Sequence, residues 1–274
     1  MGDYETLRDG TGAVWLPRDV LRAVGPDAVS FLQGQLSQDV AALPVGGSAW
    51  SFLLQPQGKV DALLRVTRTA EDELVLDVEA GHGEAVLARL NRFKLRVKAE
   101  LEMVGDWRCL AVRGTEPEGA VVAVPAFGTG GDLLGVDIAV PDGVPLCDLG
   151  AYERLRIEHG WPAMGAELTE KTIPAEAGIV DRTVSFTKGC YTGQELVARI
   201  DSRGGNVPRR LRGVVLQGPA EPGATVEVDG TEAGVLTSVV GTVALAYVRR
   251  DVEPPVAATV AGSPAEVRPL PLVP

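Results

Sequence analysis

The chain has 274 residues and a mass of 28.8 kDa, enough to bury a substantial core and, on length alone, to form about two domains. Its hydrophobic fraction of 45% and charged fraction of 23% are those of an ordinary soluble globular chain, and no apolar run approaches the roughly 20 residues that span a bilayer. A net charge of −11 excludes broad binding to nucleic acid or anionic membrane driven by overall charge, while leaving room for a local basic site.

Met1-Gly2-Asp3-Tyr4-Glu5-Thr6 lacks a basic n-region and an apolar h-region, which points to the cytoplasm; its match to the loose myristoylation pattern is set aside because of its acidic residues. Pro26-Asp27 opens a predicted helix through Leu36, with Pro where its missing N–H costs little. Ser51 to Leu54 and Ala62 to Val66 read as strands flanking the turn Gln55-Pro56-Gln57-Gly58, and Leu74 to Val78 reads as another. Val86, Leu87, Leu90 and Phe93 repeat at helical spacing within 83–93, after which Leu95–Val97 and Leu110–Val112 return to strand. Pro117 to Pro145 alternates turns with short strands. Asp148 is placed to N-cap a helix running to about His159, stopped by Gly160 and Pro162. That helix ends on Glu158, a carboxylate opposing the helix dipole at a cost of about 0.3–1 kcal/mol.

Lys188-Gly189-Cys190-Tyr191-Thr192-Gly193-Gln194-Glu195 is the densest motif. Val184-Ser185-Phe186 reads as a short strand before it. Thr192 and Glu195 have capping-box spacing, which predicts a helix from Thr192 carrying Leu196, Val197 and Ile200. Cys190 then sits just before a helix N-terminus with Lys188 nearby, and both features favour a thiolate. The opposing reading is a structural turn whose cysteine merely packs. From Lys188 to Arg212 six basic residues face only Glu195 and Asp201, a local balance of +4; this stretch is either a solvated linker or a site for an anion such as a polyglutamate tail. The three cysteines, Cys109, Cys147 and Cys190, form no Cys-x-x-Cys pair, and with only His82 and His159 to add imidazole no local metal grouping appears. Cys109 reads as strand core. Beyond Leu211, β-rich runs alternate with Gly, Pro and Asp turns and predict a small antiparallel β-barrel or sandwich.

The octapeptide KGCYTGQE resembles the signature of the YgfZ-type folate-binding proteins, relatives of the glycine-cleavage T-protein. Collinear segments agree: Gly25-Pro26-Asp27-Ala28, Phe31-Leu32-Gln33-Gly34-Gln35-Leu36, Gln57-Gly58-Lys59, Arg156-Ile157-Glu158-His159-Gly160-Trp161-Pro162, Ile173-Pro174-Ala175-Glu176 and Arg209-Arg210-Leu211. The resemblance implies an α+β class, with an aminomethyltransferase-like folate-binding region over 1–206 and a C-terminal antiparallel β-barrel over 207–274. It implies tetrahydrofolate or a one-carbon derivative in a central cavity, with Glu158 on the pterin and Tyr191, Arg199 and Lys188 as further cofactor-binding candidates. It also implies a role in assembling or maintaining iron–sulfur enzymes, including those of tRNA modification, with Cys190 as the functional thiol. Direct tRNA binding is disfavoured by the net charge.

The chain departs from the T-protein at the aspartate pair of that enzyme: the matching positions hold Ala62 and Leu63, with Asp61 one position early. A one-residue shift along a strand turns the side chain to the other face, so only a local bulge would restore Asp61. The alternatives are therefore a folate-dependent aminomethyltransferase and a non-folate protein-interaction module.

Overall fold

The structure is a computed structural model and describes residues 2–273. An N-terminal helix α1 (Asp3–Asp9) leads into β1 (Gly12–Leu16) and β2 (Arg18–Val24), then α2 (Ala28–Gln35), β3 (Ser48–Leu54), β4 (Val60–Ala70) and β5 (Glu73–Glu79). Helix α3 (Gly83–Phe93), β6 (Glu100–Met103), β7 (Arg108–Arg113), β8 (Val122–Ala123) and β9 (Gly130–Gly135) follow, then α4 (Leu149–Glu158). Two short helices, α5 (Val180–Thr183) and α6 (Gln194–Ser202), bracket the cysteine motif.

Five antiparallel strands form one sheet in the order β3-β4-β5-β2-β6, and four form a second in the order β1-β7-β9-β8. Alternation along the strands gives the first sheet two different faces. One buries Leu53, Leu64 and Leu76 against Leu32 of α2 and Leu90 of α3. The other presents Trp50, Phe52 and Leu63 toward Leu155 and Tyr152 of α4. Burying each such side chain contributes roughly 1.5–3 kcal/mol, which holds α4 between the layers. The N-cap expected at Asp148 is present: its carboxylate accepts from the Ala151 N–H at 2.8 Å.

The last six strands, β10 (Arg209–Leu216), β11 (Thr225–Val228), β12 (Thr231–Val240), β13 (Val243–Arg249), β14 (Val256–Val260) and β15 (Ser263–Arg268), close into a barrel in the order β10-β13-β12-β11-β14-β15. Closure pairs every edge strand and buries an apolar interior of Val214, Leu236, Ala246 and Val267. The fold class is therefore α+β with a C-terminal antiparallel barrel. Among the described residues, no helix is long and apolar enough to cross a membrane.

Three local expectations are corrected. Leu95–Val97 is not a strand: Arg96 takes a positive φ of 58°, Leu95 is exposed, and pairing resumes at Glu100. Val184–Phe186 is irregular chain following α5, because Ser185 N–H donates to the Ser37 carbonyl rather than to a strand partner. Helix α6 starts at Gln194, with Gly193 as N-cap at φ +83° and no side-chain cap, so Thr192 does not cap it.

Candidate functional site

Segments separated by more than 150 residues meet at the cysteine loop. The Lys188 ammonium donates to the carbonyls of Gln33 (2.6 Å) in the last turn of α2, and of Leu36 (2.7 Å) and Gln38 (2.8 Å) just beyond it. Burial pushes its pKa down to about 8. Thr192 N–H donates to the Gly34 carbonyl at 3.1 Å, which pins the loop to α2 a second time. Gly193 lies against the Gln55–Gly58 turn so closely that a Cβ there would stand 2.5 Å from the Gln55 carbonyl oxygen. The three motifs thus build one backbone clamp, and Cys190 stands exposed on it. Cys109 and Cys147 are buried; burial raises both thiols, Cys109 to about 12. Tyr191 turns inward into the core, and its ring lies 5.1 Å from the Lys188 nitrogen. Arg199 is exposed on α6 and makes no ion pair among the described residues. The structure therefore joins Lys188, Tyr191 and Cys190 in one loop but directs the three side chains differently.

A separate cavity of about 160 Å³ lies between the two sheets and α4. Trp50, Trp161 and Tyr152 supply its aromatic walls, the two indoles meeting edge-on at 4.8 Å. Arg18, Arg65, Asp132, Glu79, Glu153 and Arg156 supply its polar surface. Behind it runs a buried chain of ions. Arg18 bonds Asp77 at 2.8 Å, Arg65 bonds both Asp77 and Asp132, and Arg113 bonds Asp132 at 2.7 Å. Burial alone would lower the Arg65 pKa, yet Asp77 and Asp132 hold it above its ordinary value; likewise Arg113 and Arg65 overcome desolvation and depress Asp132. Glu79 goes the other way: burial raises it, against the pull of Arg18.

These ions were not singled out in the sequence. Their signal was an arginine in the apolar run Ala62-Leu63-Leu64-Arg65-Val66 and an aspartate in Leu74-Val75-Leu76-Asp77-Val78, two charges placed on buried strands. Charges there need partners from elsewhere in the chain.

The structure does not bring Glu158 to this cavity. Its carboxylate accepts from the Tyr4 hydroxyl at 2.8 Å and from Arg154 at 3.1 Å, beneath α1. The cause is helical phase: Leu149, Tyr152, Glu153 and Arg156 form the stripe of α4 that lines the cavity, and Glu158 lies off it. Asp61 is likewise accounted for. A bulge does occur there, since Leu53 pairs with Ala62 and Leu54 with Val60, but Asp61 turns toward α3 and bonds Arg89 at 3.0 Å. The basic stretch is dispersed: Lys188 points into the fold, Arg209 bonds Glu176 at 3.2 Å, and Arg210 donates to the Gly205 carbonyl.

The closed barrel, the split α+β region and the interlayer cavity define an aminomethyltransferase-like protein. Aminomethyltransferase T of the glycine cleavage system from Bartonella henselae has the same fold, with a TM-score of 0.81 over 99% of this chain and 88% of that one at 23% identity. Residues 209–271 match the family model of the CAF17 C-terminal beta-barrel domain. The iron-sulfur cluster assembly factor IBA57, mitochondrial, of Mus musculus is 31% identical over 275 residues, covering 85% of this chain and 76% of its own. The tRNA-modifying protein YgfZ of Vibrio vulnificus is 30% identical over 235 residues, covering 75% and 69%. The chain belongs to the YgfZ/IBA57 family.

Proposed function

We propose that this protein is a tetrahydrofolate-binding accessory factor that supports assembly or repair of iron–sulfur enzymes, including those of tRNA modification, with Cys190 as its functional thiol. The observation that carries the reading is the clamp beneath Cys190. Three distant segments converge to hold one exposed thiol on rigid backbone, while the other two cysteines are buried with raised pKa. A packing cysteine needs no such support, and thiol chemistry needs exposure. Iron-sulfur assembly and tRNA modification in the names of its relatives give that thiol its context.

The interlayer cavity fits the pterin head of a reduced folate. Trp50, Trp161 and Tyr152 offer flat apolar walls, and the carboxylates of Glu79 and Glu153 can accept from an amino-pyrimidine edge. In this reading Glu79 and Glu153 take the recognition role expected of Glu158, and Asp61, held by Arg89 on the α3 side, has no part at the cavity. Partners are iron–sulfur enzymes or their assembly proteins; the net charge of −11 disfavours direct tRNA binding.

Calorimetric titration with tetrahydrofolate and its 5-formyl derivative tests the cofactor. Binding should weaken in Glu153→Gln and Trp50→Leu, and stay unchanged in Cys190→Ala. In cells lacking the native gene, Cys190→Ala should lower iron–sulfur enzyme activity at equal protein abundance. No heat with either folate overturns the cofactor; full complementation by Cys190→Ala overturns the thiol.

A further inference from the structure

A second cavity, of about 280 Å³, opens beside a different stripe of α4, where Leu155 and His159 replace the residues facing the interlayer cavity. Its floor is Arg113 at the end of β7, and its wall is formed by Phe127, Gly128 and Thr129. The rim is the end of α1, where Arg8 pairs with Asp9 at 3.2 Å, both side chains about half exposed.

Two independent observations point to a ligand. First, Arg113 is 2% exposed, and its Nε hydrogen has no acceptor, whereas its Nη atoms reach the Val112 carbonyl, Asp132 and Tyr152. A buried donor without a partner costs about 1–3 kcal/mol, more when charged, so such a group is rarely left unmatched. The Cδ bonded to that Nε lies 3.6 Å from where a Cβ on Gly128 would stand, and nothing else approaches that point. Gly128, at φ +71°, therefore leaves the side of the Arg113 stem next to the orphan donor uncovered by any side chain of its own.

Second, Arg113 ends the buried ion chain, and among the described residues its one carboxylate partner, Asp132, is shared with Arg65, whereas the Arg18 end has both Asp77 and Glu79. A buried guanidinium with half a carboxylate leaves room for a further anion. His159 adds a neutral ring, since burial lowers its pKa, and it stacks on Phe127 at 5.1 Å.

We infer that this cavity is a binding site for a small oxyanion, the carboxylate or phosphate of a compact metabolite. One oxygen takes the Arg113 Nε–H. Arg8, released from Asp9, takes another, and the Thr129 hydroxyl borders the anion. The site is distinct from the interlayer cavity and holds whether or not that cavity binds folate.

Proton–nitrogen spectra of the isotope-labelled full chain read the Arg113 Nε–H directly. Sodium formate and inorganic phosphate are added in separate titrations at constant ionic strength, with sodium chloride as reference. The Arg113 resonance, assigned by through-bond connectivity in the wild type, should shift saturably with formate, with phosphate or with both. Formate alone assigns a carboxylate, and phosphate alone a phosphate ester. Arg8→Gln should weaken that binding about three- to five-fold, as loss of one partly exposed charge pair does. The same variant should bind tetrahydrofolate as the wild type does, which separates the two cavities. The inference is overturned if neither probe shifts Arg113 beyond the chloride reference. It is also overturned if the shift saturates equally in wild type, Arg8→Gln and Thr129→Val, because the anion would then reach Arg113 from the other side.

Discussion

Gly58 and Gly193 lie backbone to backbone: a Cβ on Gly58 would stand 2.9 Å from the Gly193 carbonyl oxygen, and one on Gly193 would stand 3.2 Å from the Gly58 Cα. Both have φ near +80°, which side-chain-bearing residues rarely adopt. The contact joins the turn after β3 to the loop that carries Cys190. Gly193→Ala combines backbone strain with overlap against the Gln55 carbonyl and should cost about 2–4 kcal/mol. Gly58→Ala should cost a similar amount, and the double variant less than the sum, because either substitution already opens the contact. Urea denaturation of the four proteins measures this coupling; strict additivity would show that the two glycines act separately.

Lys188 ties the cysteine loop to the end of α2 and the chain just beyond it. Lys188→Met keeps the stem but strips the donors from three carbonyls, for an expected loss of about 2–4 kcal/mol. Amide hydrogen exchange should quicken in 188–193 and at the end of α2 before it does so in the barrel. A variant as stable as the wild type would make the ammonium a surface charge.

The barrel, α3, α4 and its Asp148 cap were legible in the sequence because each rests on local signals: strand alternation, helical spacing, a capping side chain. The cysteine motif was legible as a motif but not as a geometry. Thr192 carries capping-box spacing, yet its N–H goes to Gly34 and the helix starts two residues later, since tertiary contacts to α2 and to the Gln55–Gly58 turn outweigh a cap worth about 1 kcal/mol. The direction in which Glu158 faces was not legible for a related reason. Spacing places a residue on a helix, but which stripe faces the cavity depends on how α4 is rotated between two sheets and α1. Arg65 and Asp77 were visible as oddities in apolar strands, and only sheet pairing shows that they sit opposite each other.

That pairing makes Arg65 the centre of the buried ion chain. Arg65→Met should destabilise the fold by about 3–5 kcal/mol, because Asp77 and Asp132 would each lose a partner without access to water. Arg65→Lys should recover only part, since an ammonium cannot reproduce the fork that bonds Asp77 through two nitrogens. Equal stabilities for the two variants would mean that charge alone, without geometry, satisfies the site.

Glu79 gives the cavity a pH signature. Burial raises its folded-state pKa above the ordinary carboxylate value, with Arg18 opposing. The folded chain therefore holds this proton more tightly than the unfolded chain. The stabilisation it brings is complete below about pH 4.5 and is lost as pH rises through the raised folded value. Glu79→Gln removes the titration and keeps an acceptor for the Met164 N–H, so it should raise Tm at pH 7 and change it little at pH 4. Thermal melts across that range decide; a variant less stable at pH 7 would show that Arg18 and Arg156 dominate over burial.

The order of cysteine modification separates chemistry from packing. Cys190 is exposed on its clamp. Cys109 lies in β7, where Asp132 adds to the effect of burial on its thiol, and Cys147 packs near Gly12 and Leu7. Thiolate fraction and access both govern alkylation, so iodoacetamide at pH 7 should label Cys190 first, Cys147 slowly and Cys109 only after unfolding. Cys190→Ala should shift stability by no more than about 0.5 kcal/mol, the range of exposed positions without special contacts. Lys188→Met and Gly193→Ala should leave the native-state labelling order unchanged while blurring the loop's conformation, visible as broadened resonances for 189–192. If Cys190 resists labelling until denaturation and Cys190→Ala unfolds the chain, the clamp holds a packing residue, and its role as a functional thiol is lost.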